Sequence, residues 1–213
     1  MPSKRTRTSP DRGVGGAALG ASLVALLGAC SPALAVEQIR PSLKSAFTDL
    51  HKCKIAQHGE AADDLTRKCA GVLGYSLLLQ ESDARMSIDV KSPNGKVHPL
   101  EYWNVVSNDF SAVGKQAEWR LTIENGKSIP VALIVPFDVD QIIENREQNT
   151  ESHKPIHYLV VAKIASDEVC VTDKFEDCAG AASRAQLAAD SARSRPCLPG
   201  READRRRNST GSR

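Results

Sequence analysis

The sequence predicts an α+β domain: an antiparallel sheet of about six strands with a C-terminal helix, stapled by disulfides. Three observations predict it. Short segments repeat the two-residue period of half-buried strands. Turn signals separate those segments at short intervals. An alanine-rich stretch with helical spacing closes the body, flanked by cysteines.

The elements follow in order. Leu43, Phe47 and Leu50 recur at steps of three to four, so Pro41 to Leu50 is expected to form a short helix or turn. The segment Gln57 to Lys68 is polar and aperiodic, and reads as a loop. Gly71 to Gln80 is a short apolar run opened by glycine, hence a strand. From Arg85 to Lys91, Met86, Ile88 and Val90 alternate with Ser87, Asp89 and Lys91. Ser92-Pro93-Asn94-Gly95 is a turn, and Val97 to Val106 extends the sheet.

Trp119, Leu121 and Ile123 then alternate with Arg120, Thr122 and Glu124. Asn125-Gly126 follows, a strong hairpin signal because both residues accept positive φ. The return strand spans Ile129 to Val135. Its continuous apolarity suits a sheet centre, while Pro130 confines its start to an edge or a strand end. Gln141 to Lys154 is polar and reads as an exposed excursion. Ile156 to Ile164 and Val169 to Val171 are strands. Ala181, Ala185, Ala188 and Ala192 form one stripe of a C-terminal helix.

Residues 1–35 have the three parts of an export signal: a basic leader, an apolar run from Val14 to Ala29, and a small-x-small ending at Ala35. The run is shorter than the roughly 20 residues of a bilayer span, and no transmembrane helix is expected. Two processing readings stay open. Cleavage after Ala35 yields a soluble periplasmic or secreted protein. Leu27-Gly28-Ala29-Cys30 resembles a lipobox, and lipidation at Cys30 would instead give a membrane-anchored lipoprotein. The body is then a single β-rich domain, 36–197. Residues 198–213 carry little apolar content and are expected to be a disordered basic tail.

The net charge of +2 conceals an asymmetry. Lys4, Arg5, Arg7 and Arg12 outweigh Asp11 in the signal. Arg201, Arg205, Arg206, Arg207 and Arg213 outweigh Glu202 and Asp204 in the tail. Each end carries +3, so the body is left at −4. A mildly acidic body argues against nucleic acid as a partner, since such binders carry their basic residues on the folded face.

Five cysteines remain in the body: Cys53, Cys69, Cys170, Cys178 and Cys197. Export permits disulfides, and an odd count leaves one unpaired or intermolecular. Cys53 with Cys69 would close the polar loop, and Cys170 with Cys197 would staple the helix to the sheet. Cys178 is then the candidate free thiol. No Cys-x-x-Cys pair exists, and His51, His58, His98, His153 and His157 are scattered, so no metal is expected.

Cys69-Ala70-Gly71 through Tyr75 forms Cys-x-Gly-x-x-Gly-Tyr, followed by Asp83-Ala84-Arg85. With Glu118 to Leu121, Pro130 to Val135, Tyr158 to Ala162 and a late cysteine, the chain resembles an uncharacterised family of exported proteobacterial proteins over residues 46–197. That resemblance implies no activity. Cys178 and the basic tail depart from it.

Candidate chemistry is sparse. Asp83 and Arg85 are a candidate recognition pair; a turn-stabilising ion pair, worth under about 1 kcal/mol when exposed, is the plainer reading. Tyr102, Trp103 and Trp119 are candidates to line a ligand groove, with core packing as the plainer reading. Glu60, Asp63 and Asp64 lack the ligand spacing of a calcium loop. Arg205-Arg206-Arg207 reads as a solvated tail. No nucleophile elbow, phosphate-binding loop or His-Glu-x-x-His is present, and no cofactor is expected. The expected function is a non-enzymatic envelope module that binds another protein or a cell-surface component. Its rivals are a periplasmic enzyme, either a hydrolase or a redox protein using Cys178, and an inhibitor of a periplasmic hydrolase.

Overall fold

The computed structural model describes residues 43–200, apart from 62 and 146–149. The signal, Cys30, Ala35 and the arginines of the tail lie outside the described residues.

Two antiparallel sheets replace the single sheet of about six strands that the sequence suggests. The strands are β1 (Lys44–Asp49), β2 (Lys54–His58), β3 (Leu65–Ala70), β4 (Ser76–Ser82), β5 (Arg85–Lys91), β6 (Val97–Pro99), β7 (Phe110–Val113), β8 (Gln116–Glu124), β9 (Lys127–Asn145), β10 (Thr150–Ile164) and β11 (Val169–Glu176). Two short α-helices join them, α1 (Tyr102–Val105) and α2 (Ala181–Asp190). One sheet has the order β1-β8-β9-β10-β11, with β7 also paired to β9. The other is a meander, β2-β3-β4-β5-β6.

Val97 to Val106, expected to extend the sheet, gives only the three residues of β6 before the chain turns into α1, and three further segments are strands against expectation, each for a tertiary reason. Lys44–Asp49 is a strand rather than a helix, because it pairs with β8 from Lys44↔Leu121 to Asp49↔Gln116. The polar loop is largely a hairpin, β2 with β3, ending at a turn where the Gly59 amide donates to the Asp64 carbonyl. The polar excursion continues β9 and opens β10, in register from Asp140↔Pro155 to Glu144↔Glu151. Their ladders satisfy the backbone groups whatever the side chains, so hydrophobic period gave no notice of these strands.

Each proline in the long strands sits where a ladder bond is dispensable. Pro130 lies beside a bulge in the β8–β9 ladder, and β10 reaches only as far as Ala132. Pro136 lies where β8 ends and β7 begins, and its carbonyl accepts from the Gly114 amide at 2.8 Å. Pro155 lies beyond the stretch of β10 that β11 covers. The Asn125-Gly126 turn forms as expected, with φ of 51° and 74°.

The core lies between the sheets. Leu77, Leu79, Ile88 and Val90 meet Trp119, Leu133, Val135, Phe137 and Val160. Burying each such side chain contributes about 1.5–3 kcal/mol before entropy is charged. Trp119 is fully buried, and its indole N–H donates to Thr48 Oγ1 at 2.9 Å. Thr48 in turn donates to the Ala70 carbonyl at 3.1 Å, so one hydroxyl links the sheets. The Tyr102 ring meets Phe137 edge-on at 5.0 Å.

The Cys-x-Gly-x-x-Gly-Tyr motif is structural. Cys69 is bridged to Cys53. A Cβ at Gly71 would lie 2.8 Å from the Trp119 ring and from the Tyr75 carbonyl. Gly74 turns the chain at φ +83°, and Tyr75 packs on Trp119 at 6.0 Å.

The second face of the larger sheet is covered by α2. Ala185, Ala188 and Ala189 pack on Ala132, Ile134 and Val161. Cys170–Cys197 ties the chain beyond α2 to β11, and the Leu198 amide donates to the Val171 carbonyl at 2.8 Å. The folded chain therefore runs past 197, at least to Gly200.

Candidate functional site

The strongest candidate is a groove on the outward face of the five-stranded sheet. Strand alternation builds its floor. Leu77, Leu79, Ile88 and Val90 point to the core, so Gln80 and Asp89 point away from it. Register then aligns them: Gln57↔Thr66, Thr66↔Gln80, and Asp89↔Pro99, with β4 and β5 paired between. The result is a polar row running across four strands, β2 to β5, with Pro99 of β6 beyond it. The groove encloses about 430 Å³, within the range of small-molecule sites. Gly59, Asp64, Leu65, Glu81, Ser82, Glu101 and Trp103 complete its walls.

The row is ordered by hydrogen bonds. Thr66 Oγ1 donates to Gln80 Oε1 at 2.7 Å, which orients the amide. Gln80 Nε2 then donates to Asp89 Oδ2 at 2.9 Å. Asp89 is only 8% exposed. Burial pushes its carboxyl up from the usual carboxylate range; the Gln80 donor opposes that rise and the nearby Glu101 charge adds to it.

Glu101 stands at the wall in the left-handed region, at φ 48° and ψ 50°. That conformation costs an ordinary residue about 1–2 kcal/mol. It turns the chain from β6 into α1, and α1 carries Trp103. Asn104 Nδ2 donates to Glu101 Oε2 at 3.3 Å. The Arg67 guanidinium neutralises Glu81 at 2.8 Å. Among the described residues, none that lines the groove is basic.

The structure sorts the residues singled out by sequence. Trp103 lines the groove, whereas Tyr102 and Trp119 are fully buried in the core. Asp64 reaches the groove from the acidic turn. Asp83 and Arg85 form a turn ion pair at 2.8 Å. Cys178 is exposed and unbridged, and Arg184 Nη2 donates to its sulfur at 3.1 Å. It lies at the foot of α2, on the opposite side of the sandwich from the groove.

Gln57, Thr66, Gln80, Asp89 and Glu101 gave no sequence signal. A polar residue at every second strand position looks like any solvated face. Glu168, Cys170 and Cys197 are the one cluster of three candidate metal ligands among the described residues, but the two cysteines are bridged to each other.

Searches of family models, curated proteins and solved structures return no match to this chain. The functional reading therefore rests on geometry and chemistry. No helix among the described residues is long and apolar enough to cross a membrane.

Proposed function

We propose that the protein is an exported, non-enzymatic binding module of the cell envelope, and that the groove on the five-stranded sheet is its site. The observation that carries this reading is the row Gln57, Thr66, Gln80 and Asp89, which buries a carboxylate at the floor of an open cavity beside Trp103. A carboxyl whose charge is disfavoured by burial, set beside a specific partner in a cleft, is a candidate functional group. Two disulfides suit an oxidising compartment, in keeping with the export signal. The resemblance to exported proteobacterial proteins belongs to the same proposal.

The test is retention of washed envelope fragments on the immobilised protein. Wild type retains them, and a Gln80→Ala, Trp103→Ala double variant loses about tenfold, as expected when a central aromatic and its polar partner are removed. Equal retention by a folded double variant would exclude the groove.

The thiol-enzyme reading has one observation in its favour, the Arg184 guanidinium beside Cys178. Cys178→Ser separates the two readings, because it leaves envelope retention unchanged if the groove is the site.

A further inference from the structure

Resting on the groove reading, we infer that the ligand is an uncharged saccharide, stacked on Trp103 and hydrogen-bonded by the row of amides, hydroxyls and carboxylates.

The lining decides among ligand classes. Anionic ligands are disfavoured: Asp64, Glu81, Asp89 and Glu101 line the groove, and no lysine, arginine or histidine among the described residues does. A phosphate, sulfate or nucleic acid would meet repulsion with no donor cation to offset it. That leaves neutral and cationic ligands.

Donor balance separates these two. An ammonium ion has only donors, so its site needs only acceptors. This groove mixes both. Gln57 and Gln80 offer amide N–H groups beside amide oxygens, and Thr66 and Ser82 offer hydroxyls. A sugar hydroxyl both donates and accepts; the amides can meet it in either sense, and the Thr66 oxygen, whose proton goes to Gln80, can accept from it. The negative charge is also muted. Arg67 pairs with Glu81, and burial favours the neutral form of Asp89.

The shape agrees. The row crosses the strands rather than following one, so its polar groups are spread along the groove. Trp103 is half-buried and held on α1, so it offers a fixed apolar surface at little entropic cost. A pyranose ring presents C–H groups on its faces and hydroxyls at its rim, and matches that surface and that row together.

The experiment is calorimetric titration of the exported full chain with neutral tetrasaccharides built from glucose, N-acetylglucosamine, mannose or galactose. Spermidine and inorganic phosphate serve as charged probes. The expected result is saturable binding of at least one tetrasaccharide and no binding of phosphate. Trp103→Ala is expected to weaken that binding by about tenfold or more, and Gln57→Ala, on an exposed edge strand, by a few-fold. Tryptophan emission gives a second readout, because Trp119 is fully buried and only Trp103 faces the groove.

Binding of spermidine without any tetrasaccharide would overturn the inference in favour of a cationic ligand. Tetrasaccharide binding that survives both substitutions would overturn it as well. Failure of every tetrasaccharide, with envelope retention still dependent on Gln80 and Trp103, would sink the saccharide and leave the groove standing. Loss of that dependence would sink both.

Discussion

The two outward sheet faces of this sandwich are treated in opposite ways. The larger sheet presents Ala132, Ile134 and Val161 outward, and α2 covers them with alanines. Charges then fasten the helix. Arg120, with an 11% exposed side chain, bonds Asp190 of α2 at 2.8 Å and Glu118 at 3.1 Å. Gln186 of α2 donates to Glu118 as well. The smaller sheet presents Gln57, Thr66 and Gln80 outward, around the buried carboxyl of Asp89, and no helix is laid across them. An apolar face must be buried, and polar groups are spent on holding the cover. A polar face needs no cover, and its ordered groups remain available to a ligand.

Four predictions bear on this contrast, from the largest effect to the smallest. Replacing Cys170 and Cys197 together by serine should cost about 3.5 kcal/mol by loop entropy, since the bridge spans 27 residues. Urea unfolding would measure it, and a loss below about 1 kcal/mol would mean that helix packing alone holds the covered face. Arg120→Ala should cost about 2 kcal/mol, because it leaves two partly buried carboxylates facing each other without their cation. Arg120→Lys should recover only part, as the ammonium cannot reproduce the forked contacts.

The open face should behave differently. The Asp89 carboxyl is raised in the folded state, so its contribution to stability is fully present below the unfolded value near 3.9 and is lost as pH rises through the folded value. Asp89→Asn removes that loss. The variant should melt at or above wild type at pH 7, with the gap closing as pH falls toward about 4. Melting well below wild type at pH 7 would mean that the charged form is stabilised. The smallest effect is at the far end of β9 and β10. His157 Nδ1 and Asp138 lie 2.7 Å apart, and that hydrogen bond and charge hold the imidazole above its ordinary value. The pair is exposed. Asp138→Asn should lower the His157 titration, followed by NMR, toward its ordinary value near 6.5 and leave the melting temperature unchanged.

Much of the covered face was legible in the chain. The alanine stripe from Ala181 to Ala192 carries its helical period locally, whereas the alternation expected in β8 holds at Trp119 and is shifted by the bulge after Arg120, which buries Thr122 and leaves Ile123 exposed. The division into two sheets was not legible. Thr48 and Phe47 sit in a segment whose apolar spacing suits a helix, and only pairing with β8 makes it a strand. The groove was least legible, and of its walls only Trp103 and Asp64 stood out in the sequence.

By itself, then, the sequence determined the strand alternation, the Asn125-Gly126 turn, the alanine helix and the cysteines that staple the ends of the fold. These depend on neighbours a few residues apart, and side-chain period and turn chemistry encode them directly. Tertiary structure alone decided which polar residues share a site. Thr66 meets Gln80, and Gln80 meets Asp89, through the registers of three strands. Glu101 and Trp103 reach the same groove through one left-handed residue. Register is settled by how the two apolar faces interlock across the core, and no local pattern carries that information.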